Sequence, residues 1–214
     1  MNRRVNLGCG TTPTLGWINL DNSPAIKIAN SPLVYRIFKS LGFLNAEQIK
    51  NIEWNKKNKI VFGDASKRFP FEDKSIEVIY TSHMLEHLSQ SNVENVLKEA
   101  RRVLQPGGII RIAVPDLRII MEDYFQSGDA NLCMERLMVQ PQPINTLKQK
   151  LKLLLVGYRH HQWMYDGNSI SKMLVIHGFK DVEIMEKGHT KINDPGPLDL
   201  NEREGESVYV EAVC

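Results

Sequence analysis

The sequence has few cysteines and lacks a long apolar run. Three cysteines, Cys9, Cys133 and Cys214, occur in 214 residues, and their separations fit neither a disulfide framework nor a zinc-ligand pattern. A reduced, cytoplasmic protein is the simplest expectation. No apolar stretch is long enough to span a bilayer, and the N-terminus lacks the apolar region of a signal peptide. We therefore expect no stable membrane insertion.

A strong charge of either sign is also missing. Lysine and arginine number 27 against 25 aspartates and glutamates, which gives a net charge of +2. Enzymes that act on nucleic acids usually carry a stronger basic stripe, so we expect no nucleic-acid partner. The chain has no internal repeat, and 42% of its residues are hydrophobic, as in an ordinary globular protein. Its length predicts one domain over residues 1–214.

What the chain does contain is an alternation of short apolar strands and helical patterns. The predicted strands cover residues 5–7, 17–21, 59–64, 76–81, 109–114, 182–185 and 207–212. Most are apolar throughout, as strands covered on both faces should be, whereas the last alternates with period two. This pattern predicts an α/β fold: a doubly wound, mostly parallel Rossmann-like sheet of about seven strands with an antiparallel C-terminal strand. Two excursions leave the sheet, at about 24–58 and 126–167.

Capping signals and apolar spacing predict the helices. Ser31 and Pro32 begin a helix in the first excursion, and Asn45 with Gln48 forms a capping box for a second. Ser91 with Glu94 predicts the start of a further helix, which the 106–108 turn ends. Apolar side chains predict the buried face of the first helix: Leu33, Val34, Ile37, Phe38 and Leu41. A lysine-flanked apolar stripe at 144–155 lies in the second excursion.

Glycines and carboxylates follow three of the predicted strands. Gly8-Cys9-Gly10 follows the first strand, Asp21 ends the second, and Gly63-Asp64 ends the third. Open α/β sheets bind ligands at this carboxyl edge, and glycine lets the backbone approach a ligand closely. The coincidence at three strand ends predicts a nucleotide-type site. Residues 11–16 are too few for the full helix that a dinucleotide fold places there.

Five stretches carry a resemblance to a known family: VNLGCG at 5–10, WINLD at 17–21, GDA at 63–65, SHMLEHL at 82–88 and RVLQPGG at 102–108. In their order and spacing the chain resembles class I S-adenosylmethionine-dependent methyltransferases, particularly the type 11-like group often associated with cell-surface sugar metabolism. The resemblance implies S-adenosylmethionine as the cofactor. The residues it implies for cofactor binding are Leu7, Gly8, Cys9, Gly10, Asp21, Gly63, Asp64, Ala65, Ser82 and His83.

The resemblance also implies individual roles. The 8–10 turn would face the methionine portion of the cofactor, Asp21 would accept hydrogen bonds from both ribose hydroxyls, and Asp64 would accept one from the adenine amino group. Two positions depart from the family: Asn6 stands where an acidic residue is usual, and Thr12 where a third glycine is usual. The missing charge at Asn6 predicts a weaker attraction for the cationic groups of the cofactor.

Histidines are the candidate general bases, because their pKa lies near the working pH. His83 is the first candidate, followed by His87, His160 and His161. The aromatic residues Trp163 and Tyr165 could stack on a sugar face. We therefore expect O-methylation of a small polar acceptor such as a sugar or sugar-linked metabolite, consistent with polysaccharide biosynthesis. His189, in the late loop at 188–206, is a further polar residue that could cover the strand ends.

Two other functions fit parts of the sequence. The chain could bind the cofactor without turnover, as a scaffold or partner subunit, because fold does not settle function. Residues 83–87 also spell the H-x-x-E-H motif of zinc-dependent hydrolases, through His83, Glu86 and His87. That remote alternative needs a helix, a third ligand on another element and an open coordination position. Since the motif follows a strand, we expect no metal there.

Overall fold

One seven-stranded sheet organises the computed structural model, which describes residues 3–139 and 160–214. The strand order is β3-β2-β1-β4-β5-β7-β6. β7 runs antiparallel to β5 and β6, and the other described pairs are parallel. The strands are β1 (Arg4–Leu7), β2 (Ile18–Asp21), β3 (Val61–Phe62), β4 (Ile76–Ser82), β5 (Leu104–Pro115), β6 (Lys180–Met185) and β7 (Ser207–Val213). The predicted mostly parallel, Rossmann-like sheet is confirmed.

The described helices flank this sheet and fill the excursions. They are α1 (Pro24–Ala29), α2 (Pro32–Ser40), α3 (Ala46–Lys57), α4 (Gln90–Val103), α5 (Leu117–Ser127), α6 (Ala130–Leu137) and α7 (Gly167–Ile176), with a 3-10 turn at Leu85–His87. No helix among these residues is long and apolar enough to cross a membrane. The predicted apolar stripe at 144–155 lies outside the described residues.

The main core lies between the sheet and the helices α4 and α7. Val93, Val96 and Leu97 recur at helical spacing on α4 and are completely buried against the strands, as are Ile170 and Leu174 of α7. Burying each such side chain stabilises the fold by about 1.5–3 kcal/mol. The same spacing that predicted the helices from the sequence therefore fixes their orientation on the sheet.

Two predicted helix boundaries need correction. Ser89, not Ser91, caps α4: its hydroxyl accepts a hydrogen bond from the Asn92 backbone N–H at 3.3 Å. The helix ends at Val103, before the predicted turn, because β5 begins at Leu104 and continues through that turn. The capping box between Asn45 and Gln48 is confirmed, with both reciprocal hydrogen bonds present.

The predicted apolar face of α2 is exposed rather than buried. Leu33 is 70% exposed and Leu41 is 61% exposed. The face that packs inward carries Tyr35, whose hydroxyl donates a hydrogen bond to Glu53 on α3 at 2.7 Å. The reason is that α2 packs on α1 and α3 instead of on the sheet. Sequence analysis did not predict α1, a six-residue helix.

Candidate functional site

The turn after β1 and the end of β2 form one hydrogen-bonded unit. Gly8 and Cys9 both donate their backbone N–H to the Leu20 carbonyl, at 2.8 and 3.0 Å. The Gly10 N–H donates to the Asp21 carboxylate at 3.1 Å. Burial, followed by the Asp21 charge, raises the pKa of the Cys9 thiol to about 12, so the thiol stays neutral. The structure thus brings together the glycine turn at 8–10 and Asp21, which the sequence predicted at the ends of the first two strands.

A loop at 11–16 closes this side of the turn, as predicted in place of a helix. The buried Asn6 amide donates to the Thr12 carbonyl and to the Thr14 hydroxyl, both at 3.1 Å. Asn19 holds the same loop by accepting from Thr14 N–H at 2.8 Å. The asparagine at position 6 is therefore explained by its donor group, which an ionised aspartate would lack.

A cavity of about 490 Å³ lies at the β2 and β3 ends, with Leu7, Phe62, Gly63, Asp64 and Ala65 among its lining residues. A Cβ added at Gly63 would lie 2.9 Å from the Leu20 Cδ2 methyl, so a side chain there would require Leu20 to shift. The Asp64 carboxylate accepts from the Ser66 N–H at 3.0 Å and from the Ser66 hydroxyl at 2.7 Å. The cavity combines apolar walls with a carboxylate acceptor and with the cationic side chains of Lys27, Lys67 and Arg68.

The end of β4 meets the glycine turn through Met84. Gly8 has φ +67°, and a Cβ there would lie 2.6 Å from the Met84 sulfur. His83 has φ +47°, a left-handed backbone conformation that is uncommon for residues other than glycine. Such strain is frequent at functional sites. Ser82 and His83 therefore lie beside the turn, at the same sheet edge as Asp21.

The hydrogen bonds of His83 define its neutral tautomer. Its side chain is only 6% exposed, its Nε2 lies 2.8 Å from the Ser207 hydroxyl, and its Nδ1 lies 3.1 Å from an Arg203 nitrogen. Because a guanidinium only donates, Nδ1 must accept and Nε2–H must donate to Ser207. Glu86 Oε1 lies 3.4 Å from the same Nδ1.

Two more predicted histidines gather around Glu86. His87 and His161 have ring centroids 5.0 Å apart, and His87 Nε2 lies 3.9 Å from Glu86 Oε1. Burial lowers the pKa of His161, so its imidazole is neutral near pH 7. His160 contributes its backbone carbonyl, which lies 3.3 Å from His87 Nδ1. The structure therefore brings His83, His87 and His161 together and places His160 beside them.

Hydrogen bonds from Gln162 join the two segments that carry this cluster, the turn at 85–87 and the segment that begins at residue 160. Gln162 N–H donates to the Glu86 carbonyl at 2.7 Å, and the Gln162 side chain donates to the His87 carbonyl at 2.7 Å. Trp163 follows with a side chain that is largely exposed. These bonds align the segment that begins at residue 160 with the 3-10 turn after β4.

The expected stacking role of Tyr165 is wrong. Its side chain is 1% exposed and belongs to the main core, because its backbone carbonyl accepts from Leu117 at 2.8 Å and draws it under α5. Burial and the Glu86 charge raise the pKa of Tyr165 to about 12, so the phenol keeps its proton. Tyr165 is therefore a core residue and offers no face to a sugar.

The late loop also borders the site, through residues that sequence analysis missed. Glu202 accepts from Thr12 at 3.0 Å and from Tyr80 at 2.6 Å, and Arg203 contacts His83. His189, in contrast, is exposed beside Glu186. Nothing in the local sequence marked Glu202 or Arg203, because their partners are more than a hundred residues away. Glu86 was visible only as part of the H-x-x-E-H string.

The H-x-x-E-H string does not form the helix that a zinc peptidase needs. Only three residues, Leu85–His87, form a 3-10 turn, and His83 is bound to Ser207 and Arg203 instead of sharing a helix face with His87. The zinc-hydrolase alternative therefore lacks its required local structure.

The strand order and the carboxyl-edge site define a class of protein. A sheet ordered β3-β2-β1-β4-β5-β7-β6 with β7 antiparallel and helices on its flanks is the class I methyltransferase arrangement. Residues 5–112 match the type 11 methyltransferase domain. The chain belongs to this family, the class I S-adenosylmethionine-dependent methyltransferases.

Individual relatives agree with this assignment. A 62-residue stretch is 39% identical to a sterol 4-C-methyltransferase of Caenorhabditis elegans, and it covers 29% of this chain and 18% of that protein. The chain thus matches less than a fifth of that relative. Among solved structures, an S-adenosylmethionine-dependent methyltransferase from Methanosarcina mazei has a TM-score of 0.53 and 14% identity, over 99% of this chain and 92% of its own.

A second solved methyltransferase, from Thermotoga maritima, has a TM-score of 0.52 and 17% identity, and the match covers all of this chain and 82% of that one. At such identities the likeness concerns the fold alone.

Proposed function

We propose that this methyltransferase transfers its methyl group to a hydroxyl oxygen of a small polar acceptor, such as a sugar or sugar-linked metabolite. The observation that carries the proposal is the tautomer of His83, whose Nδ1 has a lone pair beside the glycine turn. In this structure the lone pair accepts from the exposed side chain of Arg203, which an acceptor hydroxyl must displace to reach it. A hydroxyl benefits from a base as it attacks, since its oxygen is a weak nucleophile while protonated. A neutral amine needs no such help.

The cofactor fits the residues at the sheet edge. In the proposal, the turn at 8–10 and Ser82 contact its methionine portion, Asp21 accepts from the ribose hydroxyls, and Asp64 accepts from adenine in the cavity lined by Leu7, Gly63 and Ala65. A carboxylate has about four acceptor positions, so Asp21 keeps capacity beyond its bonds to Gly10 and Ser23. The apolar walls of the cavity suit a flat base.

Side chains of this protein take up the proton that the acceptor hydroxyl loses. Once the acceptor has displaced Arg203, His83 Nδ1 takes the proton from the acceptor hydroxyl, while Ser207 fixes the ring through Nε2–H. Glu86 Oε1, 3.4 Å away, then faces an imidazolium and stabilises it. S-adenosylmethionine, when bound, would supply the methyl group, and its sulfonium sulfur would keep the C–S electron pair. Positioning supplies roughly 7–11 kcal/mol of the barrier reduction and a base about 10²–10⁴-fold in rate.

The acceptor class is inferred from the rim of the site. Trp163 is exposed next to the imidazole cluster and can stack on a sugar face, while Gln162, also exposed, is polar. The association of the resembling group with cell-surface sugar metabolism supports the same class, and with it a role in polysaccharide biosynthesis.

Domain organisation and location are part of the same proposal. We infer one domain over 1–214, because β6 and β7 complete the sheet that β1 to β5 begin. We infer a reducing, cytoplasmic location from the three free cysteines.

A screen with methyl-labelled cofactor tests the acceptor. Nucleotide sugars, glycans, amines and peptides are offered in parallel, and the product is mapped by mass spectrometry and NMR. We expect label on oxygen of a sugar-containing acceptor. Label on nitrogen alone would overturn the proposal. Cofactor binding with no turnover on any class would favour the scaffold alternative.

Substitution then tests the base. His83→Gln should lower kcat by about 10²–10⁴-fold, a larger factor than any loss of affinity for the demethylated cofactor, which His83 is also implied to border. The matched control is His189→Gln, whose side chain is exposed away from the cluster. A near-full kcat in His83→Gln would remove the base assignment and leave the cofactor site standing.

A further inference from the structure

A buried carboxylate lies at the centre of the imidazole cluster without a hydrogen-bond partner in the described part of the chain. Glu86 is 1% exposed, and neither of its oxygens accepts a hydrogen bond from a described residue. A carboxylate taken out of water is unfavourable unless a cation, a proton or several donors compensate it. Glu86 Oε1 points at nitrogens of His83 and His87, at 3.4 and 3.9 Å, which is too far for good hydrogen bonds.

Backbone carbonyls fix the tautomers of both nearby imidazoles. His161 Nδ1 lies 2.9 Å from the Leu137 carbonyl, and His87 Nδ1 lies 3.3 Å from the His160 carbonyl. A carbonyl only accepts, so each Nδ1 carries the hydrogen and each Nε2 keeps its lone pair. Histidines that bind metals are oriented in this way, with the second ring N–H donated to a carbonyl or carboxylate.

The three side chains converge within metal-ligand range. One ligand atom from each of Glu86, His87 and His161 lies within 4.8 Å of the others. We propose that these residues bind one divalent transition-metal ion of the Zn²⁺ type. His161 is the third ligand on another element that the H-x-x-E-H string lacked in the sequence, and it lies 74 positions after His87 along the chain.

The donor set selects the kind of ion. Two imidazoles and one carboxylate suit Zn²⁺, Co²⁺ or Fe²⁺, whereas Mg²⁺ prefers oxygen ligands alone. Three protein ligands leave a position open, as in catalytic zinc sites. Because the cluster adjoins His83, the open position can hold the acceptor oxygen and ease the loss of its proton to His83. This role rests on the proposed function, whereas binding of the ion does not.

Metal titration tests the site directly. Chelator-treated protein is titrated with Zn²⁺ by calorimetry and with Co²⁺ by visible absorption. We expect one equivalent per chain, a Co²⁺ spectrum of a low-coordinate site, and no competition from Mg²⁺. Glu86→Gln, His87→Gln and His161→Gln should each weaken Zn²⁺ binding by at least about 10–100-fold, the loss typical even of supporting residues. His189→Gln should bind as the wild type does.

Absence of saturable Zn²⁺ binding would overturn the proposal, as would unchanged affinity in the three variants. His87 is half-buried, so His87→Gln decides the matter if either buried variant fails to fold, with folding checked by near-ultraviolet circular dichroism. Binding of the demethylated cofactor is measured on the same samples. Cofactor binding without Zn²⁺ binding removes only the metal site, whereas Zn²⁺ binding without cofactor binding removes the proposed cofactor site and leaves the metal site.

Discussion

At the residue scale, the side-chain amide of Asn6 helps to hold the loop that takes the place of a first helix. Its two donated hydrogen bonds end on Thr12 and Thr14, in a buried setting. The family usually has an acidic residue here, and the sequence alone suggests only a loss of charge. The structure gives a positive reason, since the loop presents a carbonyl that needs a donor.

Asn6→Asp should therefore destabilise the protein. An aspartate would remove the donor and set a carboxylate against the Thr12 carbonyl. We expect a loss of about 1–3 kcal/mol, or roughly 2–4 °C in Tm for each kcal/mol in a chain of this size. Thermal unfolding at pH 7 is the measurement. An unchanged Tm together with tighter cofactor binding would mean that position 6 serves the ligand and not the loop.

Individual site residues differ in how far the sequence could predict them. The positions of Asp21 and Asp64 at the sheet edge were predictable because each lies at or just after the end of a strand, and parallel strands end at one sheet edge. The pairing of Glu86 with His161 was not predictable, since it depends on how the 126–167 excursion returns to the sheet. Tyr165 was misjudged for a related reason: an aromatic residue in an excursion gives no local sign that it enters the core.

At the scale of elements, two helix caps use aspartates in opposite electrostatic settings. Asp166 caps α7, and its hydrogen bond from the Ser169 N–H holds the pKa of that carboxyl below its ordinary value. Asp116 caps α5, and burial raises the pKa of that carboxyl, with the Asp166 charge adding to the effect. Ionisation therefore stabilises the fold at Asp166 and destabilises it at Asp116.

The two caps should respond oppositely to Asp→Asn at pH 7. The Asp166 contribution is present above the unfolded pKa of about 3.9 and is lost as pH falls through the lower folded value. Asp166→Asn should cost about 0.3–1 kcal/mol at pH 7 and less near pH 3, below the unfolded pKa. Asp116→Asn should be neutral or stabilising at pH 7. Urea unfolding at both pH values measures this, and equal losses for both variants at pH 7 would contradict it.

The late loop is held by a buried ion pair. Arg111 and Glu211, on the paired strands β5 and β7, are fully buried and 2.6 Å apart. Arg111 also donates to the His189 and Leu200 carbonyls, at 2.9 and 3.1 Å. Through these bonds the sheet positions the loop that carries Glu202 and Arg203 to the site.

Breaking this pair should both destabilise the sheet and release the loop. Arg111→Met leaves the Glu211 charge buried and should cost about 3–5 kcal/mol. Arg111→Met with Glu211→Leu should recover much of that loss, because no charge remains unpaired. The loop should become sensitive to proteolysis in both variants, since its carbonyl contacts are gone. A double variant no more stable than the single one would show that the charge is not the cause.

Helix packing was the least predictable part of the elements. The apolar spacing of α2 correctly predicted a helix but not the face it buries. Tyr35 is buried because α1, which sequence analysis did not predict, lies beside it. A six-residue helix has too few turns to show a period, so neither its presence nor its effect on α2 could be predicted from pattern alone.

At the scale of the whole molecule, the sheet follows from a repeated local pattern of an apolar strand and a helix. The strands have the apolar composition of a sheet covered on both faces, and glycine or carboxylate residues end them at one edge. Those local rules were enough to predict the sheet, its antiparallel last strand and the place of the site. The loops that complete the site join residues far apart in sequence, so the structure was needed to assemble them.

The central claim is that the carboxyl edge around Asp21 binds the cofactor of a methyltransferase. Calorimetric titration with S-adenosylhomocysteine, the demethylated product, tests it most directly, with Asp21→Ala beside the wild type. Glu94→Ala is the matched control, because Glu94 is an exposed carboxylate on α4 that pairs only with Lys98 among the described residues.

We predict saturable one-to-one binding by the wild type and by Glu94→Ala, and at least about tenfold weaker binding by Asp21→Ala, the loss expected for hydrogen bonds to a charged group. At 100 times Kd the ligand should add about 2.7 kcal/mol to the free energy of unfolding. No heat with S-adenosylhomocysteine, or binding of NAD in its place, would contradict the account.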